Sequence, residues 1–102
     1  MSQITLEINS DSANKLNSFI NSYGNKDLFL DKFLYFQVNK LKREVARIQI
    51  DLDEFEKKYT KTSIEFYTQF ENGKLEDSKD FILWAGLFEL QIESKNKLHQ
   101  LL

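Results

Sequence analysis

Between Leu34 and Tyr59 the apolar residues fall at Leu34, Val38, Leu41, Val45, Ile48, Leu52, Phe55 and Tyr59. Their steps alternate four and three, the a/d seam of a heptad, and neither Gly nor Pro interrupts them. The spacing predicts one helix of roughly 39 Å, at about 1.5 Å per residue. A continuous apolar stripe on such a helix must be covered by something. The candidates are a second copy, the C-terminal part of the same chain, or another protein. With Val38, Val45, Leu52 and Tyr59 at a, and Leu34, Leu41, Ile48 and Phe55 at d, the core suits a parallel two-stranded coil. The flanking pairs oppose it. Gln37 would face Lys42, Glu44 would face Gln49, and Asp51 would meet the like charge of Glu56. Cover by the last helix of the chain is the better expectation.

Ahead of the seam, Ile4, Leu6 and Ile8 alternate with Gln3, Thr5 and Glu7, which predicts a half-buried strand. A lone strand leaves its backbone groups unpaired, so it asks for a partner strand, most cheaply from a second molecule. Asn9, Ser10 and Asp11 offer N-caps for a helix with Ala13, Leu16, Phe19, Ile20 and Tyr23 on its apolar side. Gly24 marks its end, and Asn25 can cap the helix that runs into the seam.

After Tyr59, Thr62 with Glu65 reads as a capping box, opening a short helix that ends at Asn72-Gly73. Asp77 or Ser78 caps a last helix reaching the C-terminus. This helix is apolar almost all round from Phe81 to Ile92, so two of its faces want cover. One face would pack on the seam as an antiparallel hairpin, leaving the other for a partner. The expected fold is therefore mostly α: a short N-terminal strand paired across a dimer, one long central helix, then a short helix and a C-terminal helix packing back on it. Residues 1–50 would form the dimerisation unit and 51–102 a partner-binding extension.

Composition excludes several classes of function. A single histidine, His99 in the final turn, and the absence of cysteine leave no His/Cys metal cluster and no plausible catalytic base, so no enzyme and no cofactor is expected. No signal-like or spanning apolar run is present, and a chain without cysteine suits the cytoplasm. Charge is uneven: residues 1–50 hold seven Lys/Arg against five Asp/Glu, residues 51–102 seven against eleven. Lys40, Lys42, Arg43 and Arg47 lie off the seam and could meet phosphates; a solubilising helix face is the competing reading.

Strand, helix, Gly turn and longer helix over residues 3–50 resemble the ribbon-helix-helix fold. That resemblance implies an obligate homodimer built on a two-stranded ribbon of Ile4, Leu6 and Ile8, with Gln3, Thr5 and Glu7 facing a DNA major groove. A second likeness covers about the last half of the chain. Thr62-Ser63-Ile64-Glu65-Phe66, Phe70-Glu71-Asn72-Gly73-Lys74-Leu75, Asp80-Phe81, Trp84-Ala85-Gly86-Leu87 and Glu89-Leu90 resemble the C-terminal segment of antitoxins from type II toxin–antitoxin pairs. It implies a cognate toxin as partner, with Trp84, Leu87, Phe88 and Phe81 as anchors and Glu65 and Asp80 complementing a basic toxin. The alternatives are a ribbon-helix-helix repressor acting on operator DNA and a purely structural helical dimer.

Overall fold

The computed structural model describes residues 1–102 and contains four helices: α1 (Ser10–Asn21), α2 (Lys26–Tyr59), α3 (Ser63–Glu71) and α4 (Lys79–Leu101). Local chemistry sets their limits. Asn9 Oδ1 accepts from the Ser12 N–H at 2.8 Å, and Asn25 Oδ1 accepts from the Leu28 N–H at 2.7 Å. Thr62 and Ser78 do the same for Glu65 and Phe81, so each helix starts on a side chain that satisfies an otherwise unpaired amide. Gly24 (φ +90°) and Gly73 (φ +68°) follow α1 and α3 in the left-handed region that glycine enters without strain. After α2 the same role falls to Thr60, a β-branched residue at φ +55°.

The N-terminal strand is not formed. Residues 1–8 carry no regular structure, and Ile4, Leu6 and Ile8 are 81, 65 and 47% exposed. The physical reason is the one that made the strand demanding. Alternation can describe an extended segment, but a sheet needs a second strand, and a chain of four helices supplies none. The protein is mostly α, as expected, but all its regular structure is helical, and the ribbon built on Ile4, Leu6 and Ile8 falls with the strand.

The chain divides into two compact units, Met1–Phe36 and Gln37–Leu102. In the first, the rings of Phe19, Tyr23 and Phe29 meet edge to face at 5.4–5.5 Å, and Phe33 stacks on Phe29 at 6.0 Å. Phe29 alone is buried there. The second unit has a denser centre. Ile48 and Leu52 of α2, Phe66 of α3, and Trp84 and Ala85 of α4 are all buried. The Trp84 indole stacks on Phe66 at 3.8 Å between nearly parallel planes, and on Phe55 at 5.5 Å. Its Nε1–H donates to the buried Ser63 Oγ at 3.0 Å, which satisfies both polar atoms inside the core.

Pairings along α4 show that it runs antiparallel to α2. Near its start, Asp80 accepts from Lys58 Nζ and from the Tyr59 hydroxyl. One turn on, Trp84 meets Phe55 and Tyr59. Two turns further, buried Gln91 donates from Nε2 to the Val45 carbonyl at 3.2 Å and to Gln49 Oε1 at 2.9 Å. Helix α3 is tied in by its first amide, Ser63 N–H, which donates to Glu56 Oε2 at 2.7 Å. A carboxylate at that helix N-terminus is favoured by the aligned backbone dipoles. Glu56 is thus a tether rather than part of a solvated acidic face.

Candidate interaction surface

The six residues expected to meet a partner separate once α4 is in place. Trp84 is completely buried, and its one hydrogen-bonding atom is taken by Ser63. It is a core anchor, so a partner cannot reach its ring while the unit is folded. Phe81 is half-buried against Tyr59 and Phe66, and Phe88 against Tyr67. Glu65 is exposed on α3. Leu87 and Asp80, by contrast, border open space between α2 and α4.

That space is an elongated groove. One part is lined by Ile48 of α2 and Leu87 and Leu90 of α4, beneath a rim formed by Lys40, Arg43, Glu44, Arg47 and Asp51. The next part shares Asp51 and Leu87 and continues past Phe55 and Leu83 to Glu54, Lys58 and Asp80. On α4 the apolar residues Leu83, Leu87 and Leu90 recur at steps of four and three, which puts them on one helix face. Leu83 is 52% and Leu90 42% exposed. Trp84, Ala85 and Phe88 turn to α2 and α3, while Ile82 (57% exposed) and Ile92 (42%) lie outside both the core and the groove. The all-round apolar character of α4 thus divides among a face used by the core, a face bordering the groove, and the exposed Ile82 and Ile92 outside both.

Of the four cations singled out on α2, Lys40, Arg43 and Arg47 share the groove rim, while Lys42 does not line it. None of the four lies in an ion pair; the chain's salt bridges are Lys15–Asp11, Lys58–Asp80 and Lys97–Glu93. Gln3 and Thr5, the expected readers of DNA bases, lie in the exposed segment before α1 with no sheet to present them.

At the far end of the groove the charges are already engaged. Hydrogen bonds from Lys58 and then Tyr59 hold the Asp80 carboxyl below its ordinary range, and the same bond to Asp80 raises Lys58. Tyr59 is raised by its bond to Asp80 and by desolvation. On α3, Tyr67 donates to Glu89 Oε1 at 2.6 Å, and that bond, reinforced by desolvation, holds its hydroxyl well above the usual phenol range. These pairs fasten α4 to its neighbours. In them Asp80 is stabilised as the anion, and Tyr59 and Tyr67 as neutral phenols.

No group of three or more His, Cys, Asp or Glu side chains is placed to hold a metal ion. No helix is long and apolar enough to cross a membrane. Leu83 and Leu90 are not singled out by the sequence, where their only signal is their spacing from Leu87 on a helix apolar all round. No protein-family model matches the chain, and no curated protein or solved structure matches it significantly.

Proposed function

We propose that the chain is a cytoplasmic interaction protein of the antitoxin type, which dimerises and neutralises a cognate toxin with its C-terminal helical half. The observation that carries this reading is the groove between α2 and α4, where the exposed Leu83 and Leu90 flank the half-buried Leu87 beside Ile48 and Phe55. Such a face, apolar at its floor and charged at its rim, has the anatomy of a protein-binding surface. The residues that bury a toxin element are Leu83, Leu87 and Leu90, while Trp84, Phe81 and Phe88 hold the surface in shape from behind.

Dimerisation is supported by the unit Met1–Phe36. Phe19, Leu28, Leu30, Phe33, Leu34, Tyr35 and Phe36 are each at least 41% exposed. They expose apolar surface on several sides of this unit, and a second copy that covered one of those sides would remove it from water. With three lysines against four acids, this unit is near neutral and does not repel a copy of itself. The dimer proposed is helical and requires no ribbon.

The test is co-expression with the small protein encoded by the neighbouring reading frame. That protein alone should arrest growth, and this chain should relieve the arrest. A Leu83→Asp/Leu87→Asp double variant, checked by circular dichroism to be folded, should lose the protection. A harmless neighbour, or protection unchanged by the double variant, overturns the reading.

A further inference from the structure

The groove has a charge order that its apolar floor does not require. At one end the rim carries Lys40, Arg43 and Arg47 with a single acid, Glu44; towards the other it carries Asp51 and Glu54, beside a Lys58 already paired with Asp80. Lys40 and Glu44, and likewise Arg47 and Asp51, stand four residues apart on one helix, a spacing at which ion pairs readily form. None forms. Lys58 and Asp80 satisfy each other, whereas these rim groups, whose cation-first order pairs less well, are left for an incoming molecule.

We infer that the groove receives one amphipathic helix of a partner protein, with acidic residues beside Lys40, Arg43 and Arg47 and basic residues beside Asp51 and Glu54. The inference rests on the reading that this face is the partner surface, and adds the chemistry of the occupant. Three observations carry it. The floor is built from two helices, and Leu83, Leu87 and Leu90 recur at the spacing that a third helix matches with its own i, i+4 and i+7 anchors. The rim from Lys40 to Lys58 spans roughly 27 Å of helix, enough for five turns of a ligand. The split in rim charge makes one arrangement of ligand charges attractive and its inverse repulsive, a source of specificity beyond apolar burial. Nucleic acid fits less well, because Asp51 and Glu54 hold the other half of the rim and Glu44 sits among the cations, so a strand of phosphates along the groove would meet three carboxylates.

The probes are two fluorescein-labelled peptides of about 18 residues, equal in composition and leucine spacing. In one, the Glu residues fill one half and the Lys residues the other; in the second they are evenly mixed. A short random-sequence DNA duplex is the third probe. Fluorescence anisotropy with the full chain should show the segregated peptide binding at least tenfold more tightly than the mixed one. Arg43→Glu/Arg47→Glu should erase that preference, Lys42→Glu should leave it, and added salt should narrow it. Both double-variant positions are exposed and unpaired, so the fold should survive, and circular dichroism checks that it does.

Equal binding of the two peptides, no binding at about 100 μM, or preferential binding of the duplex each overturns the inference. If neutralisation of the toxin still depends on Leu83 and Leu87 in that event, the partner-surface reading stands and only the charge order fails.

Discussion

The two units of this chain use aromatic rings in different ways. In Gln37–Leu102, Phe66, Trp84 and Phe55 stack face to face inside a closed core, and the polar atoms among them are matched to one another. In Met1–Phe36, four rings touch mostly by their edges and a single residue is buried. The first arrangement removes whole side chains from water. The second leaves about half of most rings wet, so the hydrophobic contribution, which scales with area removed, is correspondingly small. Aromatic content therefore does not measure self-sufficiency; what decides it is whether a third element closes over the rings. Helix α3 does so in the second unit, and nothing within Met1–Phe36 does so in the first.

The comparison can be broken most decisively with Trp84→Ala set beside Phe29→Ala. Trp84→Ala removes a fully buried indole and orphans Ser63, which should cost about 3–5 kcal/mol in chemical denaturation. Phe29→Ala should cost about half of that or less, because its neighbours are already partly solvated. Equal losses would mean that the two units are equally self-supporting and would undo the contrast.

Acid titration sharpens the account of the second unit. The folded-state pKa of Asp80 is lowered, so its contribution is present above the unfolded carboxylate value near ~3.9 and is lost as pH falls through the folded value. Asp80→Asn should therefore lower Tm at neutral pH, and the difference from wild type should shrink as pH falls through the folded-state value of Asp80. A Tm gap unchanged over that fall would assign the effect to shape rather than charge.

The smallest expected change is a gain. Thr60 sits at φ +55°, a conformation that costs a β-branched residue strain which glycine avoids. Thr60→Gly should stabilise the chain by up to about 1 kcal/mol, the relief of strain being offset in part by the greater freedom of glycine in the unfolded state. A loss of stability would show that the Thr60 side chain does more than tolerate its turn.

Helix starts were legible to within a residue or two, because a cap is a contact between neighbours in sequence: of the candidates at each start, Asn9, Asn25, Thr62 and Ser78 accept from the amide three residues on. Gly24 and Gly73 likewise mark their turns. Cover of the seam by α4 could be argued from Asp51 and Glu56, whose like charges oppose a parallel coil. The strand over Ile4, Leu6 and Ile8 could not be decided in this way. Alternation is local, but pairing depends on a second strand elsewhere, and there is none. Trp84 was misplaced for a related reason. On a helix apolar all round, periodicity carries no direction, so an anchor facing the core and one facing a partner look alike.

The sequence by itself determined that this chain is largely helical and, within a residue or two, where its helices begin, and that with one His and no Cys it cannot build a His/Cys metal cluster. Those properties follow from composition and from interactions spanning a few residues. Tertiary structure decided which face of α4 is spent on the core and which is left over Ile48 and Phe55, that Gln91 bonds Val45 and Gln49, and that Lys40, Arg43 and Arg47 share a rim with Asp51. Each of these depends on how two helices are rotated against one another, a choice made by packing the rings of Phe55, Phe66 and Trp84 rather than by any local preference.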